Sequence, residues 1–189
     1  MIFRRSKRRP FLSYNKRLYH GTNVRFEEPK SDRNALPCDF GRGFYLTEIY
    51  DRAVSRAEEK ASLVKGSEKW ILVFEFDDER AYADAKNGKL QIKEYKEDKE
   101  WLDTVTMFWD DSLRELWENA KIEGIIIAPS SDARTWEILN AYRSSLRSRE
   151  DVEKALKELK LDFYGTQYFF GTDKVIMKYL KFVSAYRIE

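Results

Sequence analysis

Three short patches carry the side chains best equipped for chemistry: Leu18-Tyr19-His20-Gly21-Thr22, Asp39-Phe40-Gly41-Arg42-Gly43-Phe44-Tyr45-Leu46-Thr47 and Gly165-Thr166-Gln167-Tyr168-Phe169-Phe170. Each sets one functional group beside small residues or in a strand-like run, which is what a flat cationic ring needs when pinned between strands and a loop. His20 is the only histidine. The missing Cβ of Gly21 lets a ligand carboxamide come close enough to bond both the backbone N–H and the C=O. Gly41 and Gly43 free the backbone to turn just ahead of Tyr45, whose ring can lie flat against another. Gln167 is polar among apolar neighbours, so it either faces solvent by simple alternation or points into a pocket. Each patch also has a structural alternative: a hydrogen-bonded histidine, a tight turn before a core strand, or the outer side of a strand.

The elements that must hold these groups are legible from periodicity. Arg17 to His20 reads as a short strand, followed by a loop through Pro29, Ser31, Asp32, Asn34 and Pro37. Asp51 to Val64 sets Ala53, Ala57, Ala61 and Val64 on one stripe, a helix docked by its small-residue face. Trp70 to Phe76 is almost continuously apolar, so it reads as an interior strand. Asn87-Gly88, between Tyr82-Ala83 and Leu90-Gln91-Ile92, predicts a hairpin turn. Trp101, Leu102, Val105, Phe108 and Trp109 recur at helical spacing as core residues, with a second helical stretch at Leu113, Leu116 and Trp117. Gly124 to Ala128 reads as a buried strand and Phe163 to Phe170 as another. Ser148-Arg149-Glu150-Asp151 predicts a capping box, and Thr172 the N-cap of a helix over 173–180, before a last strand from Phe182 to Ile188. Strands at the start, middle and end, with uneven helices between them and no GxGxxG turn, predict an α+β fold rather than a regular Rossmann alternation.

Composition bounds the rest. A chain of 189 residues fits one domain, here expected over 17–189 after a basic tail over 1–16 that holds Arg4, Arg5, Lys7, Arg8 and Arg9. The tail reads as a solvated terminus and is assigned no function. The 36% charged content would suit a disordered chain, but 42% apolar and 15% aromatic residues supply enough surface to bury. Thirty-five basic against 33 acidic residues give a net charge of +2, too small to steer the whole molecule to a polyanion. No apolar run is long enough to span a bilayer, so no membrane partner is expected, and the lone Cys38 suits a reducing, cytoplasmic setting. One His and one Cys leave no set for a structural zinc cluster, so no metal is expected.

Together the patches resemble the ADP-ribosyltransferase superfamily, in the His-Tyr-Glu branch shared by diphtheria-toxin-like enzymes and the poly(ADP-ribose) polymerases. "YHGT", "FGRGFYLT" and "TQYFFGTDKVIMKYLKF" resemble that branch's first, second and third motifs. The chain is also similar to a bacterial family of domains of unknown function, DUF3990, whose pattern includes "EWLDTV" at Glu100 to Val105 and "SDARTWEILNAY" at Ser131 to Tyr142. The resemblance runs from about Leu18 to Phe182.

What the resemblance implies is an ADP-ribosyltransferase-like α+β fold with a split, two-sheet core and surrounding helices, binding NAD in a bent form. His20 would bond the adenosine-side ribose and Gly21 the nicotinamide carboxamide. Tyr45 would stack on the nicotinamide ring, with Thr22, Gly43 and Phe44 also lining the dinucleotide. Arg56 stands where an aromatic often completes the ring sandwich, and its guanidinium suits the phosphates instead. Gln167 stands where the branch usually has the Glu that bonds the nicotinamide-ribose 2′-OH and stabilises an oxocarbenium-like transition state. A Gln amide accepts that bond but carries no charge, a loss of about 3 kcal/mol, or roughly a hundredfold in rate. Asp132 is the candidate for the missing charge, with Glu48 as the second choice and an N-cap as the alternative role of Asp132. The implied activity is mono-ADP-ribosyl transfer from NAD to a protein or nucleic-acid acceptor. The setting would be that of a toxin or effector, delivered to another cell or checked by a cognate inhibitor or antitoxin. The alternatives are an NAD glycohydrolase and a catalytically weak NAD or ADP-ribose binding module.

Overall fold

The computed structural model describes residues 16–31, 38–113, 122–130, 135–159 and 164–189. Seven strands, β1 (Lys16–Thr22), β2 (Phe44–Thr47), β3 (Lys69–Phe76), β4 (Gln91–Glu94), β5 (Gly124–Pro129), β6 (Thr166–Phe170) and β7 (Leu180–Ile188), join in the order β4-β5-β6-β2-β1-β3-β7. Only the β4–β5 pair is parallel. Six α-helices are described: α1 (Tyr50–Ser62), α2 (Asp78–Lys86), α3 (Lys99–Phe108), α4 (Thr135–Arg143), α5 (Arg149–Leu159) and α6 (Asp173–Tyr179). The fold is mixed α+β, as the sequence predicts.

The sheet is one hydrogen-bonded series rather than two separate ones, but it is nearly cut at β1–β2. These strands share one register pair, Tyr19↔Thr47, whereas β1 and β3 stay paired from Lys16↔Phe76 to Thr22↔Trp70. The two-sheet core implied by the resemblance is therefore not what the described strands form: they make one sheet, narrowed at β1–β2.

Directly opposed residues of paired strands share a sheet face. The registers Ile126↔Phe169, Phe169↔Tyr45, Gln167↔Thr47 and Thr47↔Tyr19 therefore define one face running across β5, β6, β2 and β1. Ile126, Ala128 and Phe169 bury that face under Trp101, Leu102 and Val105 of α3, Leu139 and Tyr142 of α4, and Ala155 and Leu159 of α5. At its other end α1 covers it with Ala53 and Ala57 against Ile71. The opposite face packs Leu18, Phe44, Leu46, Leu72, Phe74 and Phe170 on Ala81 of α2 and Val175, Ile176 and Tyr179 of α6.

Local signals account for most element ends. The capping box at Ser148 forms: the Asp151 N–H donates to the Ser148 hydroxyl at 3.2 Å, and the Ser148 N–H donates to the Asp151 carboxylate at 2.9 Å. Thr172 caps α6 by accepting from the Val175 N–H at 3.4 Å. The hairpin predicted at Asn87-Gly88 does not form, because Tyr82 and Ala83 lie inside α2. Asp77 caps that helix by accepting from the Arg80 N–H. Gly88, at φ 69°, ends it as the left-handed residue of a Schellman motif, with Gly88 N–H bonded to Ala85 O and Lys89 N–H to Asp84 O. The predicted small-residue helix stops at Ser62, leaving Val64 exposed beyond its end. Lys16, expected in the basic tail, opens β1; the rest of that tail lies outside the described residues, as do Leu116, Trp117 and Phe163.

Candidate functional site

His20 follows Tyr19 at the point where β1 and β2 part. Its Nδ1 lies 2.7 Å from the carbonyl oxygen of Tyr45, so the imidazole bridges the opening where a ladder rung would otherwise run. A carbonyl can only accept, so Nδ1 carries the proton and Nε2 the lone pair. Nε2 faces the ammonium of Lys60 at 3.4 Å. Lys60 follows Ala53 and Ala57 on α1 at helical spacing and so stands on the stripe that docks against the sheet. Burial and, second, the Lys60 charge drive the imidazole pKa down to about 3, only partly opposed by the Tyr45 carbonyl. His20 is therefore neutral at pH 7, its ring tilted against Phe44 at 4.7 Å between centroids.

Tyr45 packs its ring edge-on to Phe169, centroids 4.9 Å apart. Its hydroxyl donates to Gly41 O at 2.7 Å and accepts from the Phe40 N–H at 3.0 Å, pinning the turn that precedes β2. Gly41 makes that turn at φ 74°, a conformation that favours glycine. Burial raises the phenol pKa well above its ordinary value, so the group stays a neutral donor.

Gln167 points inward, not to solvent, and is only 8% exposed. Its amide nitrogen donates to the Asp39 carboxylate at 2.6 Å and to the Pro129 carbonyl at 2.8 Å. Both amide hydrogens face acceptors, which orients the amide and leaves its oxygen as the group that can accept. Asp39 is itself 7% exposed, and its other oxygen accepts from the indole N–H of Trp109 at 3.0 Å. Next to it, burial and then the Asp39 charge push the Cys38 thiol up to about 11, too high for a thiolate nucleophile at neutral pH. Beside Gln167, at the ends of β4, β5 and β6, lies a depression of about 410 Å³ lined in part by Tyr95, Glu97, Pro129 and Thr166.

A family model described as "Protein of unknown function (DUF3990)" matches residues 16–182. The chain belongs to the DUF3990 family. Comparison with curated proteins and with solved structures gives no match. Among the described residues of this DUF3990 protein, no helix is long and apolar enough to cross a membrane.

The DUF3990 fold brings some of the sequence-predicted groups together and disperses others. Tyr45 and Gln167 share one face, on neighbouring strands two register positions apart. His20 belongs by alternation to the other face and meets Tyr45 only at its backbone oxygen. Gly21 backs onto α1, where an added Cβ would lie 1.9 Å from Ala53 O, and a Cβ on Gly43 would lie 2.2 Å from the Phe169 ring. Phe44 is a core residue that reaches the site only through the His20 ring. The Thr22 hydroxyl accepts from the Val24 N–H at 3.3 Å, bending the chain after β1. Arg56 pairs with Glu59 at 2.8 Å on α1. Glu48 is held by Lys16 at 2.8 Å and by the Tyr168 hydroxyl, and Asp132 lies outside the described residues. Asp39, the first residue of the second patch but not singled out from sequence, is the carboxylate that meets Gln167. Its partner Trp109 is 70 residues away, so only the fold reveals the pairing.

Proposed function

We propose that this chain binds NAD across the joint between β1 and β2, with Tyr45 and Gln167 on one sheet face and His20 reaching it from the other, and breaks the bond between nicotinamide and ribose, passing one ADP-ribose unit to a macromolecular acceptor. The observation that carries this reading is the Gln167 amide, fixed by two acceptors with its oxygen left for a hydroxyl, one strand from a neutral phenol. In the reaction, the C1′–N bond breaks and its electron pair returns to the nicotinamide nitrogen, neutralising the pyridinium. A nucleophilic oxygen or nitrogen of the acceptor then bonds C1′ and releases its proton to solvent. Tyr45 supplies a ring for the nicotinamide, Gln167 accepts from the ribose 2′-OH, and His20, neutral with its lone pair on Nε2, can accept from the adenosine-side ribose once Lys60 yields that position. The single-unit product follows from Gln167, because an amide cannot deprotonate a ribose hydroxyl for chain growth.

Purified protein incubated with NAD labelled in the adenosine half tests this. Label on macromolecule with nicotinamide released supports transfer. Free ADP-ribose would mean hydrolysis, and saturable binding without turnover would mean a binding module. His20→Ala, Tyr45→Ala and Gln167→Ala should each suppress nicotinamide release at least tenfold, and full activity in all three would exclude this site.

A further inference from the structure

We infer that Asp39 supplies, through Gln167, the negative charge that the amide lacks, acting as the positioning residue of the site; this rests on the NAD reading above. Three observations support it. Asp39 is almost fully buried, which a carboxylate tolerates only when its oxygens are engaged. One oxygen takes the Gln167 amide at 2.6 Å and the other the Trp109 indole at 3.0 Å, so the group is clamped rather than free to swing out to solvent. Through Phe40, its immediate neighbour, the same loop is tied to the Tyr45 hydroxyl, so the charge and the ring-stacking side chain move as one unit.

The chemistry follows from charge placement. As the C1′–N bond lengthens, the pair of electrons leaves with nicotinamide and positive charge develops on C1′ and the ring oxygen of the ribose. Gln167 accepts from the ribose 2′-OH but offers only a dipole. A carboxylate on the far side of that amide polarises it, increasing electron density on the amide oxygen, and adds a formal charge in a site where burial limits screening. The function carried by one glutamate in the resembling enzymes is divided here between an amide that touches substrate and an acid that charges it.

A charge transposition tests this. Asp39→Asn keeps the shape but removes the charge and one of the two acceptors, since an amide oxygen can take the Gln167 or the Trp109 N–H but not both; we expect kcat for nicotinamide release from NAD to fall about a hundredfold while KM changes less than about threefold. In Asp39→Asn/Gln167→Glu the carboxylate moves to 167 and an amide sits at 39, which reverses the hydrogen bond between them, lets the new amide oxygen keep the Trp109 N–H and gives up the bond to the Pro129 carbonyl; kcat should return to at least the wild-type level. Asp39→Asn with unchanged kcat would overturn the role of Asp39. So would a double variant that melts at the wild-type temperature yet stays as slow as Asp39→Asn, because restored folding without restored rate is what a structural role gives. Wild-type protein that neither binds nor cleaves NAD would overturn the NAD reading itself, a result separable from both.

Discussion

Replacing Lys60 with Met should raise the pKa of His20 by about one unit. The ammonium sits 3.4 Å from Nε2. At water-like dielectric, two unit charges at that distance repel by roughly 1.2 kcal/mol, or about 0.9 pKa unit; an effective dielectric of 20 gives roughly fourfold more. Burial is the larger cause of the descent to about 3 and Lys60 the second, so the lower figure is the working one. His20 is the only histidine, so a single imidazole Cε1–H resonance reports the titration by NMR without assignment ambiguity. Wild type should titrate near 3, far below the ordinary 6.5, and Lys60→Met near 4. The sign carries into stability. Between pH 6.5 and 3 the unfolded chain takes up a proton that the folded chain refuses, so this group's contribution to stability is full above 6.5 and lost as pH falls towards 3. Lys60→Met should therefore lose less stability than wild type on acidification. A wild-type midpoint near 6.5 would refute the buried neutral imidazole, and one unmoved by the substitution would refute the influence of its cationic neighbour.

Gly21→Ala drives a methyl to 1.9 Å from the Ala53 backbone oxygen, a clash no rotamer relieves; a loss of at least about 2 kcal/mol, or roughly 4–8 °C in Tm, is expected by thermal melting. Tyr45→Phe strips the hydroxyl that bridges Phe40 N–H and Gly41 O and should cost about 1–3 kcal/mol in denaturant unfolding while leaving the ring in place. Thr172→Ala removes the cap of α6 and should cost about 1 kcal/mol in the same assay, without changing NAD binding.

The sequence made legible whatever is decided within a dozen residues. The capping box at Ser148, the Thr172 cap and the apolar run of β3 depend on local spacing, and they form as read. Asn87-Gly88 shows the limit of that approach. The same positive-φ glycine serves a hairpin or a Schellman stop, and the deciding signal lay upstream, where Asp77, Asp78 and Glu79 favour a helix N-terminus over a strand. The direction of Gln167 was undecidable because alternation fixes a face only once the neighbouring strands are known. Register with Thr47 and Ala128 turns it inward. Nothing in its own neighbourhood marks Asp39 above Asp132 or Glu48; its partners come from α3's end and β6, 70 and 128 residues further along.

The narrow joint between β1 and β2 ties these points together. A continuous ladder there would satisfy the strand edges by backbone bonds alone and leave no room for a side chain. Here the ladder stops after Tyr19↔Thr47, and His20 makes the next link with its imidazole. That link uses the proton on Nδ1, which fixes the tautomer and aims Nε2 at α1. The helix can come close enough to meet it only because Gly21 has no side chain, so the residue pair His20-Gly21 acts as one device: the first member replaces a rung, the second admits the helix. On this view protonating His20 and filling the space beside Gly21 strain the same joint. Each would loosen α1 from β1 before the α3–α5 core yields, so local opening of α1, read by amide hydrogen exchange, should precede global unfolding as the pH drops.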